Sequence, residues 1–356
     1  MGGGVPARVI YWCGWLDSQM VAVSKEMSQL MDAFPDSLAF GISTHHTLAL
    51  HPFTRRFGVH PALHPAVRPL IRLLERRFDV NHVYTGLADW HFLSVLGRRP
   101  IILTVTQRGN PGDTSLLRNV HHVVAESETL ADDARAAGVP NHRISVRYPG
   151  VDLAAFPAAP PPPTNGVWRC VFASSPENLS EVESKGLGLL IELARLEPTF
   201  NLTVLWRPFG RRSDDALVAV RADAPPNVTF KPGRISRIQD EYAQAHFVVA
   251  PFKTVGKPAP NSVLEGLATG RPGLVSDYTD IGDLLEREQA GVKFTPIIDD
   301  LRRAFHQLCE DYDRRQSNCR PCAERHFNLD DVVRHYASAY HTAAASDGGL
   351  ATGSSR

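Results

Sequence analysis

Cysteines and long apolar segments are both scarce in this sequence. The 356 residues include five cysteines, and the one C-x-x-C pair, Cys319 and Cys322, has no second pair to complete a four-ligand zinc site. Reduced thiols are therefore expected rather than a disulfide framework. No apolar run approaches the ~20 residues of a membrane-spanning helix, and the N-terminal segment lacks the apolar core of a secretory signal. We therefore expect a cytoplasmic protein.

An excess of charge of either sign is also missing. Lys and Arg number 38 and are balanced by 38 Asp and Glu, which argues against nucleic acid as a partner. Hydrophobic residues make up 43% of the chain, as in an ordinary globular protein. A chain of 356 residues exceeds the usual size of a single core, so two domains are expected.

Two arrays of alternating strands and helices are predicted, separated by a proline-rich segment at 154–166. This alternation is typical of a parallel, doubly wound sheet, so we predict an α/β protein with two Rossmann-like lobes facing across a cleft. Strands of the first array are predicted at 9–12, 38–42, 80–84, 101–106, 122–125 and 144–147. Those of the second are predicted at 169–173, 202–206, 228–231, 247–251 and 273–276.

Residues 249–276 carry the most informative pattern in the chain. A buried strand leads into a loop rich in Gly and Pro that contains Gly256 and Lys257, and a helix is predicted to begin near Asn261 or Ser262. The first N–H groups of a helix have no partner within it and mark the positive end of its dipole. This strand, loop and helix therefore suit a phosphate.

Glu265 lies one turn into that helix, where its carboxylate could accept two sugar hydroxyls. A carboxylate beside an anion-binding loop predicts a nucleotide-sugar site. However, Ser262 and Glu265 also fit the S-x-x-E pattern of a capping box, in which Glu265 would only close the start of the helix. The spacing alone does not separate these two interpretations.

Five further segments resemble the retaining GT-B glycosyltransferases of the large family 4 type. They are Val-Arg-Tyr-Pro-Gly-Val-Asp at 146–152, Ser-Lys-Gly at 184–186, the stretch at 227–246, the helix region at 261–276 and the terminal segment at 326–340. The resemblance implies a GT-B fold. It implies an N-terminal acceptor domain at 1–148, joined by a C-terminal helix at about 329–342, and a donor domain at 149–328. A disordered tail is expected at 343–356, where small and polar residues dominate.

The resemblance also implies a role for each matched position. Lys185 would bind the diphosphate of the donor, and Glu265 would bind its ribose hydroxyls. Lys185 precedes a predicted helix, where dipole and ammonium act together on a pyrophosphate. The other implied donor-binding positions are Phe230, Gly233, Gly256, Asn261 and Ser262.

Lys257 is the main departure from the family pattern. The family signature is E-x7-E, and Lys257 stands where the first glutamate is expected. In the family that glutamate contacts the transferred sugar, so a lysine reverses the local charge. It implies an anionic donor sugar, a different grip on the sugar, or impaired catalysis. We count Lys257 with Lys185 and Glu265 as the candidate catalytic residues.

A second departure concerns the phosphate-binding cations. The family often has an arginine after the first strand of the donor domain, where this chain has Ala-Ser-Ser at 173–175. Another cation must replace it, from Arg207, Lys253 or Arg211. We favour Arg207, because it ends a predicted strand on the cleft side.

Acceptor-side positions are predicted less directly. The loops after two strands of the first domain contain Gly14 and Trp15 and, further on, Gln107 and Arg108. The cleft histidine usual in the family is missing, since residues 104–107 read Thr-Val-Thr-Gln. The acceptor class (small molecule, glycan or lipid) stays open.

No catalytic metal is expected, because no D-x-D motif stands between a strand and a loop. Charge on the departing phosphate would instead be stabilised by fixed cations and loop amides. We therefore predict a metal-independent retaining glycosyltransferase that uses a nucleoside-diphosphate sugar and no cofactor. A catalytically impaired nucleotide-sugar-binding protein is the alternative, and a GT-B UDP-sugar epimerase is a weaker one.

A helix predicted at 67–78 bears Arg68, Arg72 and Arg76 at intervals of four residues. Such a basic amphipathic helix would suit peripheral contact with an anionic membrane, although a solvated surface helix has the same pattern. The histidine-rich stretch before it, at 45–64, matches no metal-binding spacing and is predicted to be a flexible acceptor-side loop.

Overall fold

The computed structural model describes residues 7–14, 16, 22–42, 48–51, 55–59, 64–85, 90–108, 113–207 and 209–348. These residues form two compact units. Unit 1 comprises the chain up to Pro149 and from Asp330 onward, and unit 2 comprises Gly150–Leu329. No helix in the described ranges is long and apolar enough to cross a bilayer.

Unit 1 is built on a sheet of eight strands in the order β3-β4-β2-β1-β5-β6-β7-β8. The pairings are parallel except for β3 with β4. The elements are β1 (Val9–Cys13), α1 (Ala22–Ala33), β2 (Leu38–Ile42), β3 (Leu48–His51), β4 (Arg56–Val59), α2 (His64–Glu75), β5 (Val80–Thr85), α3 (Trp90–Leu93), β6 (Ile101–Val105), β7 (His122–Ala125), α4 (Glu128–Ala136) and β8 (Ile144–Val146).

Unit 2 has a second sheet, of six parallel strands in the order β11-β10-β9-β12-β13-β14. Its elements are β9 (Trp168–Phe172), α5 (Leu179–Ser184), α6 (Leu187–Leu196), β10 (Phe200–Trp206), α7 (Arg211–Ala222), β11 (Val228–Pro232), α8 (Ile238–Ala243), β12 (Phe247–Ala250), α9 (Asn261–Ala268), β13 (Gly273–Ser276), α10 (Ile281–Arg287), β14 (Gly291–Phe294), α11 (Ile298–Glu310) and α12 (Tyr312–His326). The last helix of the chain is α13 (Leu329–Gly348).

The apolar runs in the sequence form the buried strands. β12 and β13 are buried along their whole length, as expected for central strands of a parallel sheet covered on both faces. Strands β2, β7 and β13 begin and end at the predicted residues. The predicted architecture of two Rossmann-like α/β units is confirmed.

Several local predictions are wrong. The stretch predicted as a loop at 45–64 contains β3 and β4, which pair with each other, and β4 also pairs with β2. Helices α5 and α12 and strand β14 were also not predicted from the sequence. Helix α5 and strand β14 are short, and α12 contains a proline and lacks a clear apolar period. The local sequence pattern therefore gives only a weak signal for these elements.

The predicted disordered tail is wrong for residues 343–348. Helix α13 continues to Gly348, and Ala343 is fully buried in the core of unit 1 together with Val332, Tyr336 and Tyr340. The run of alanines after Thr342 supports this extension, because alanine has the highest helix propensity. The residues from 349 onward lie outside the described ranges.

A buried polar network attaches α13 to the sheet of unit 1. The ring nitrogens of His82 lie 2.6 Å from the Tyr340 hydroxyl and 2.7 Å from Thr104 Oγ1, and Thr104 Oγ1 lies 2.8 Å from the Tyr336 hydroxyl. Burial lowers the pKa of His82 to about 3, so the ring is neutral near pH 7. Both nitrogens can then be satisfied, one as donor and one as acceptor.

The depressed pKa of His82 predicts a loss of stability in acid. The unfolded histidine takes up a proton near pH 6.5 and the folded one only near pH 3, so stability falls as the pH drops between these values. Between pH 7 and pH 5 this group should cost about 2 kcal/mol. Urea unfolding at the two pH values should show that His82→Gln loses less stability on acidification than the wild type. Equal losses in both proteins would contradict a buried neutral histidine.

Candidate donor-binding site

The candidate site lies in unit 2, at the carboxyl ends of its parallel strands. The loops after β9, β10, β12 and β13 leave the sheet at one edge, because all these strands run in the same direction. Ligands of doubly wound sheets bind at this edge. The predicted donor-side residues come from these connections, from β11 and the residue after it, and from α9.

Lys185 is the C-cap of α5 and stands directly before α6. Its Nζ donates to the carbonyl oxygen of Ser175 at 2.6 Å and pairs with Glu181 Oε2 at 2.8 Å. Helix α5 is itself capped by Asn178, whose side chain accepts from the N–H of Glu181. The ammonium is thus fixed beside the loop that follows β9, and 26% of the side chain remains exposed.

Ser175 joins this lysine to Arg207. The buried Ser175 hydroxyl accepts the backbone N–H of Arg207 at 2.7 Å and donates to the carbonyl of Leu205 at 3.0 Å. Arg207 follows β10, and its guanidinium lies 5.8 Å from the ring centroid of Phe209. The ends of β9 and β10 are therefore tied together at the point where both cations are placed.

Glu265 is 5% exposed, and its Oε2 accepts a 3.0 Å hydrogen bond from the Tyr242 hydroxyl. Burial and then the charge of Glu265 raise the pKa of Tyr242 well above its ordinary value, while Arg207 acts in the opposite direction. The guanidinium of Arg207 is thus within electrostatic range of this phenol. Two sets of hydrogen bonds are thus present: Ser175 binds both Lys185 and the backbone of Arg207, and Tyr242 binds Glu265. Arg207 acts on Tyr242 through its charge.

The capping-box interpretation of Glu265 is wrong. The N-cap of α9 is Pro260, which makes no side-chain cap and has no N–H for a glutamate to accept. Ser262 lies inside the helix rather than at its cap. The side chain of Glu265 is instead held by Tyr242, on the neighbouring helix α8.

The loop between β12 and α9 has the predicted character. Gly256 and Lys257 in this loop are partly exposed, and so are Asn261 and Ser262 in the first turn of α9. Asn261 Oδ1 is buried and has no hydrogen-bond partner among the described residues. A buried acceptor of this kind at the start of α9 fits a ligand that donates a hydroxyl or N–H there.

Phe230 and Gly233 lie at different depths. Phe230 is inside β11 and packs against the apolar core of unit 2. Gly233 follows the strand, with φ of 112°, and its N–H donates to the carbonyl of Trp206 at 2.9 Å. Gly233 therefore lies next to the residue that precedes Arg207.

Gly186 connects Lys185 to α6, and the space around it admits no side chain. Its φ is +72°, and an added Cβ would lie 1.8 Å from the carbonyl oxygen of Pro251. We expect Gly186→Ala to lower the free energy of unfolding by at least ~2 kcal/mol, from left-handed strain plus this overlap. Denaturant unfolding measures this loss.

Gly188→Ala is the matched control for that variant. Gly188 lies inside α6, and the nearest atom to an added Cβ, Glu183 Oε2, is 3.6 Å away. Because alanine is the better helix former, this variant should be as stable as the wild type or more so. Equal stability of both alanine variants would disprove the close approach of Gly186 to Pro251.

Three of the four acceptor-side predictions fall within the described residues, all in unit 1. Gly14 follows β1, and Gln107 and Arg108 follow β6, so they lie at the same edge of a parallel sheet. Gln107 is exposed, and Arg108 Nε pairs with Asp133 Oδ2 at 3.1 Å. Trp15 lies outside the described residues.

Three residues of the site had no role predicted from the sequence: Ser175, Glu181 and Tyr242. Tyr242 stood in a matched segment, but nothing in the pattern linked it to a residue 23 positions away. Of the alternatives to Arg207, Arg211 has a side chain that is 94% exposed, and Lys253 pairs with Glu183. Among the described residues, no three His, Cys, Asp or Glu side chains come together as metal ligands.

The two units match two sequence families. Residues 30–155 match Glycosyltransferase Family 4, and residues 178–311 match Glycosyl transferases group 1. The chain is a GT-B glycosyltransferase of group 1. The two matches together span most of the sequence, and they confirm the resemblance drawn from its motifs.

Solved structures of other GT-B proteins share this fold. HepE of Anabaena in complex with UDP is 15% identical, with a TM-score of 0.75 over 94% of this chain and 100% of its own. Sucrose-phosphate synthase from Thermosynechococcus elongatus is 14% identical, with a TM-score of 0.73 over 95% and 100%. The lipopolysaccharide outer core galactosyltransferase WaaB is also 14% identical, with a TM-score of 0.70 over 92% and 98%. Comparison of the sequence with curated proteins found no significant match.

Proposed function

We propose that this GT-B glycosyltransferase moves a sugar from a nucleoside-diphosphate sugar to an acceptor hydroxyl, with retention and without a metal ion. The observation that carries the proposal lies at the carboxyl edge of the unit 2 sheet: Ser175 holds Lys185 and the backbone of Arg207, and Arg207 acts electrostatically on Tyr242, which donates to the buried Glu265. It combines two cations with a buried carboxylate. Cations suit the charge of a diphosphate, and a carboxylate can accept hydrogen bonds from both hydroxyls of a ribose.

Each residue has a defined task in this proposal. Lys185 and Arg207 bind the diphosphate and stabilise the charge that builds up on it as the glycosidic bond breaks. Glu265 accepts the ribose hydroxyls, and its hydrogen bond with Tyr242 fixes the carboxylate in place. Lys257 and the amides at the start of α9 face the sugar end. These fixed positive charges take the part that a metal ion has in other transferases.

We propose a UDP-sugar as the donor. Structures of HepE in complex with UDP and with UDP-glucose support this choice of nucleotide. Lys257 in place of the family glutamate favours a different grip on the transferred sugar. The same substitution supports the second candidate function, a protein that binds nucleotide sugars without transferring them.

One experiment tests these functions together. The protein is incubated with UDP-, GDP-, ADP- and dTDP-sugars, with EDTA present, and binding, slow hydrolysis and anomeric configuration are followed by NMR. We expect binding of a UDP-sugar and release of a product that keeps the anomeric configuration. Binding without turnover, even with an acceptor extract, would instead support the non-catalytic protein. Conversion of the donor to an epimer would indicate an epimerase. Inversion of the anomeric configuration, or activity that appears only when EDTA is left out, would overturn the stated mechanism.

Lys257→Glu separates sugar recognition from nucleotide recognition. Lys257 lies in the loop before α9, away from the Lys185–Ser175 contact in sequence. Restoring the family glutamate should change the preference among UDP-sugars while leaving the affinity for UDP within about twofold. Calorimetric titration with UDP and with each UDP-sugar measures both effects. A large loss of UDP affinity would place Lys257 on the diphosphate instead.

We also propose that α2 lies against an anionic membrane on the cytoplasmic side. Arg68 and Arg72 on this helix, and Arg76 in the turn that follows it, are exposed together with Leu70 and Leu73, which are 45% and 52% exposed. Basic and apolar side chains on one helix face complement an anionic lipid surface. Sedimentation with phosphatidylglycerol vesicles should retain the wild type and not Leu70→Ser/Leu73→Ser. Equal retention of both proteins would overturn this part of the proposal.

A further inference from the structure

A cavity of about 470 Å³ lies in unit 2, at the carboxyl ends of β12, β13 and β14. Its volume is within the range of small-molecule sites. The lining comes from the three loops that follow these strands: Lys253, Asp277, Tyr278, Thr295, Pro296 and Ile297. None of these residues is Lys185, Ser175, Arg207, Tyr242 or Glu265.

Two apolar side chains are exposed in this cavity. Tyr278 is 40% exposed and Ile297 is 57% exposed, and Pro296 lies beside Ile297 in the lining. Single exposed apolar residues are common, but a phenol ring and an aliphatic side chain in one cavity form an apolar wall. An aromatic ring in such a wall can stack on the apolar face of a flat ligand.

The polar part of the lining is fixed by hydrogen bonds. Asp277 Oδ2 accepts from Thr295 Oγ1 at 3.0 Å, and the N–H of Asp277 donates to the carbonyl of Phe294 at 2.9 Å. The N–H of Thr295 donates in turn to Asp300 Oδ2 at 2.7 Å. Asp277 is exposed, so its carboxylate can accept further hydroxyl groups from a ligand.

The charge in this cavity disfavours an anion. Lys253 lines it, but its Nζ is paired with Glu183 Oε1 at 2.5 Å. The carboxylate of Asp277 then sets the sign of the local charge. A phosphate or a uronate would be repelled, whereas a neutral ligand with several hydroxyl groups would be accommodated.

We propose that this cavity binds a neutral saccharide, with one ring face on Tyr278 and hydroxyl groups donating to Asp277. The N–H of Lys253 donates at 2.8 Å to the carbonyl of Ser184, the residue before Lys185, so one lining residue of the cavity is bonded to the chain next to Lys185. This saccharide site is separate from the acceptor-side positions of unit 1, and it does not depend on the proposed transferase function.

Saturation-transfer NMR on the full chain tests the site. The probes are glucose, galactose, mannose, maltose, cellobiose and lactose, with glucuronate as the anionic counterpart. We expect transfer to at least one neutral sugar and none to glucuronate. Tyr278→Ala should weaken that binding at least tenfold, whereas Tyr278→Phe should stay within about threefold. Val218→Ala alters an exposed apolar residue on α7 and is expected to bind as the wild type does.

Absence of transfer to every neutral sugar, or equal binding by Tyr278→Ala, would overturn the site. Stronger binding of glucuronate would also overturn it, because the charge argument would then be wrong. UDP is titrated into the same samples, and Tyr278→Ala should leave the UDP affinity unchanged. Sugar binding without UDP binding would leave the saccharide site intact and remove the proposed transferase function. UDP binding without sugar binding would overturn the saccharide site and leave the proposed transferase function intact.

Discussion

Replacing Glu265 by alanine is expected to weaken UDP binding by about 1.5–3 kcal/mol, roughly 10- to 150-fold in Kd. The buried carboxylate would accept the two ribose hydroxyls, and hydrogen bonds to a charged acceptor fall in this range. Calorimetric titration of the wild type and the variant with UDP measures the effect. Deoxyuridine diphosphate lacks one of the two hydroxyls, so it should show a smaller difference between the two proteins.

Loss of stability must be separated from loss of binding in this experiment. The alanine leaves the fully buried Tyr242 hydroxyl without the carboxylate to which it donates, at a cost of about 1–3 kcal/mol. Glu265→Gln keeps the size of the side chain and an acceptor for Tyr242 but removes the charge. Tyr242→Phe removes the hydrogen bond and keeps the carboxylate. We expect weaker UDP binding in the folded glutamine variant and nearly normal binding in Tyr242→Phe. Wild-type affinity in Glu265→Gln would remove Glu265 from the site.

Lys185→Ala should also weaken UDP binding by about 1.5–3 kcal/mol, because the alanine removes a cation fixed beside the loop that would hold the diphosphate. The loss should be confined to ligands with a diphosphate. Uridine, which has none, should bind both proteins equally. Titration with UDP, UMP and uridine therefore shows which part of the nucleotide Lys185 contacts.

Lys293→Ala is the matched control. Lys293 is also half-buried and ion-paired, with a side chain that is 31% exposed and bonded to Asp283. It lies on β14 and pairs with none of Ser175, Glu181 and Glu265 in the described contacts. This variant should keep the wild-type affinity for UDP. Equal losses for UDP and uridine in Lys185→Ala would show that the lysine supports the fold rather than the diphosphate.

Much of unit 2 could be predicted from local patterns. Parallel strands buried on both faces have continuous apolar runs, and short Gly/Pro segments separate them from helices, so β12, α9 and β13 were predicted within a few residues. The predictions failed for elements that are very short or that depend on pairing with other strands. Helix α5 is six residues long and has no apolar period, yet its Asn178 cap and its Glu181 hold Lys185. The strands at 48–51 and 56–59 depend on pairing with each other and with β2, which no local pattern reports.

The hydrogen-bond partner of Glu265 could not be predicted from the amino-acid sequence. Gly and Pro between an apolar run and a helical period define the loop and the helix start, because these residues act on their own backbone. The pattern of Ser262 and Glu265 is the same for a helix cap and for a ligand-binding carboxylate, since both use the same side-chain oxygens. Packing resolves it: α8 brings the Tyr242 hydroxyl against Glu265, and Pro260 takes the capping position. Local backbone preference is encoded over a few residues, whereas the partner of a buried charge depends on which elements the fold brings together.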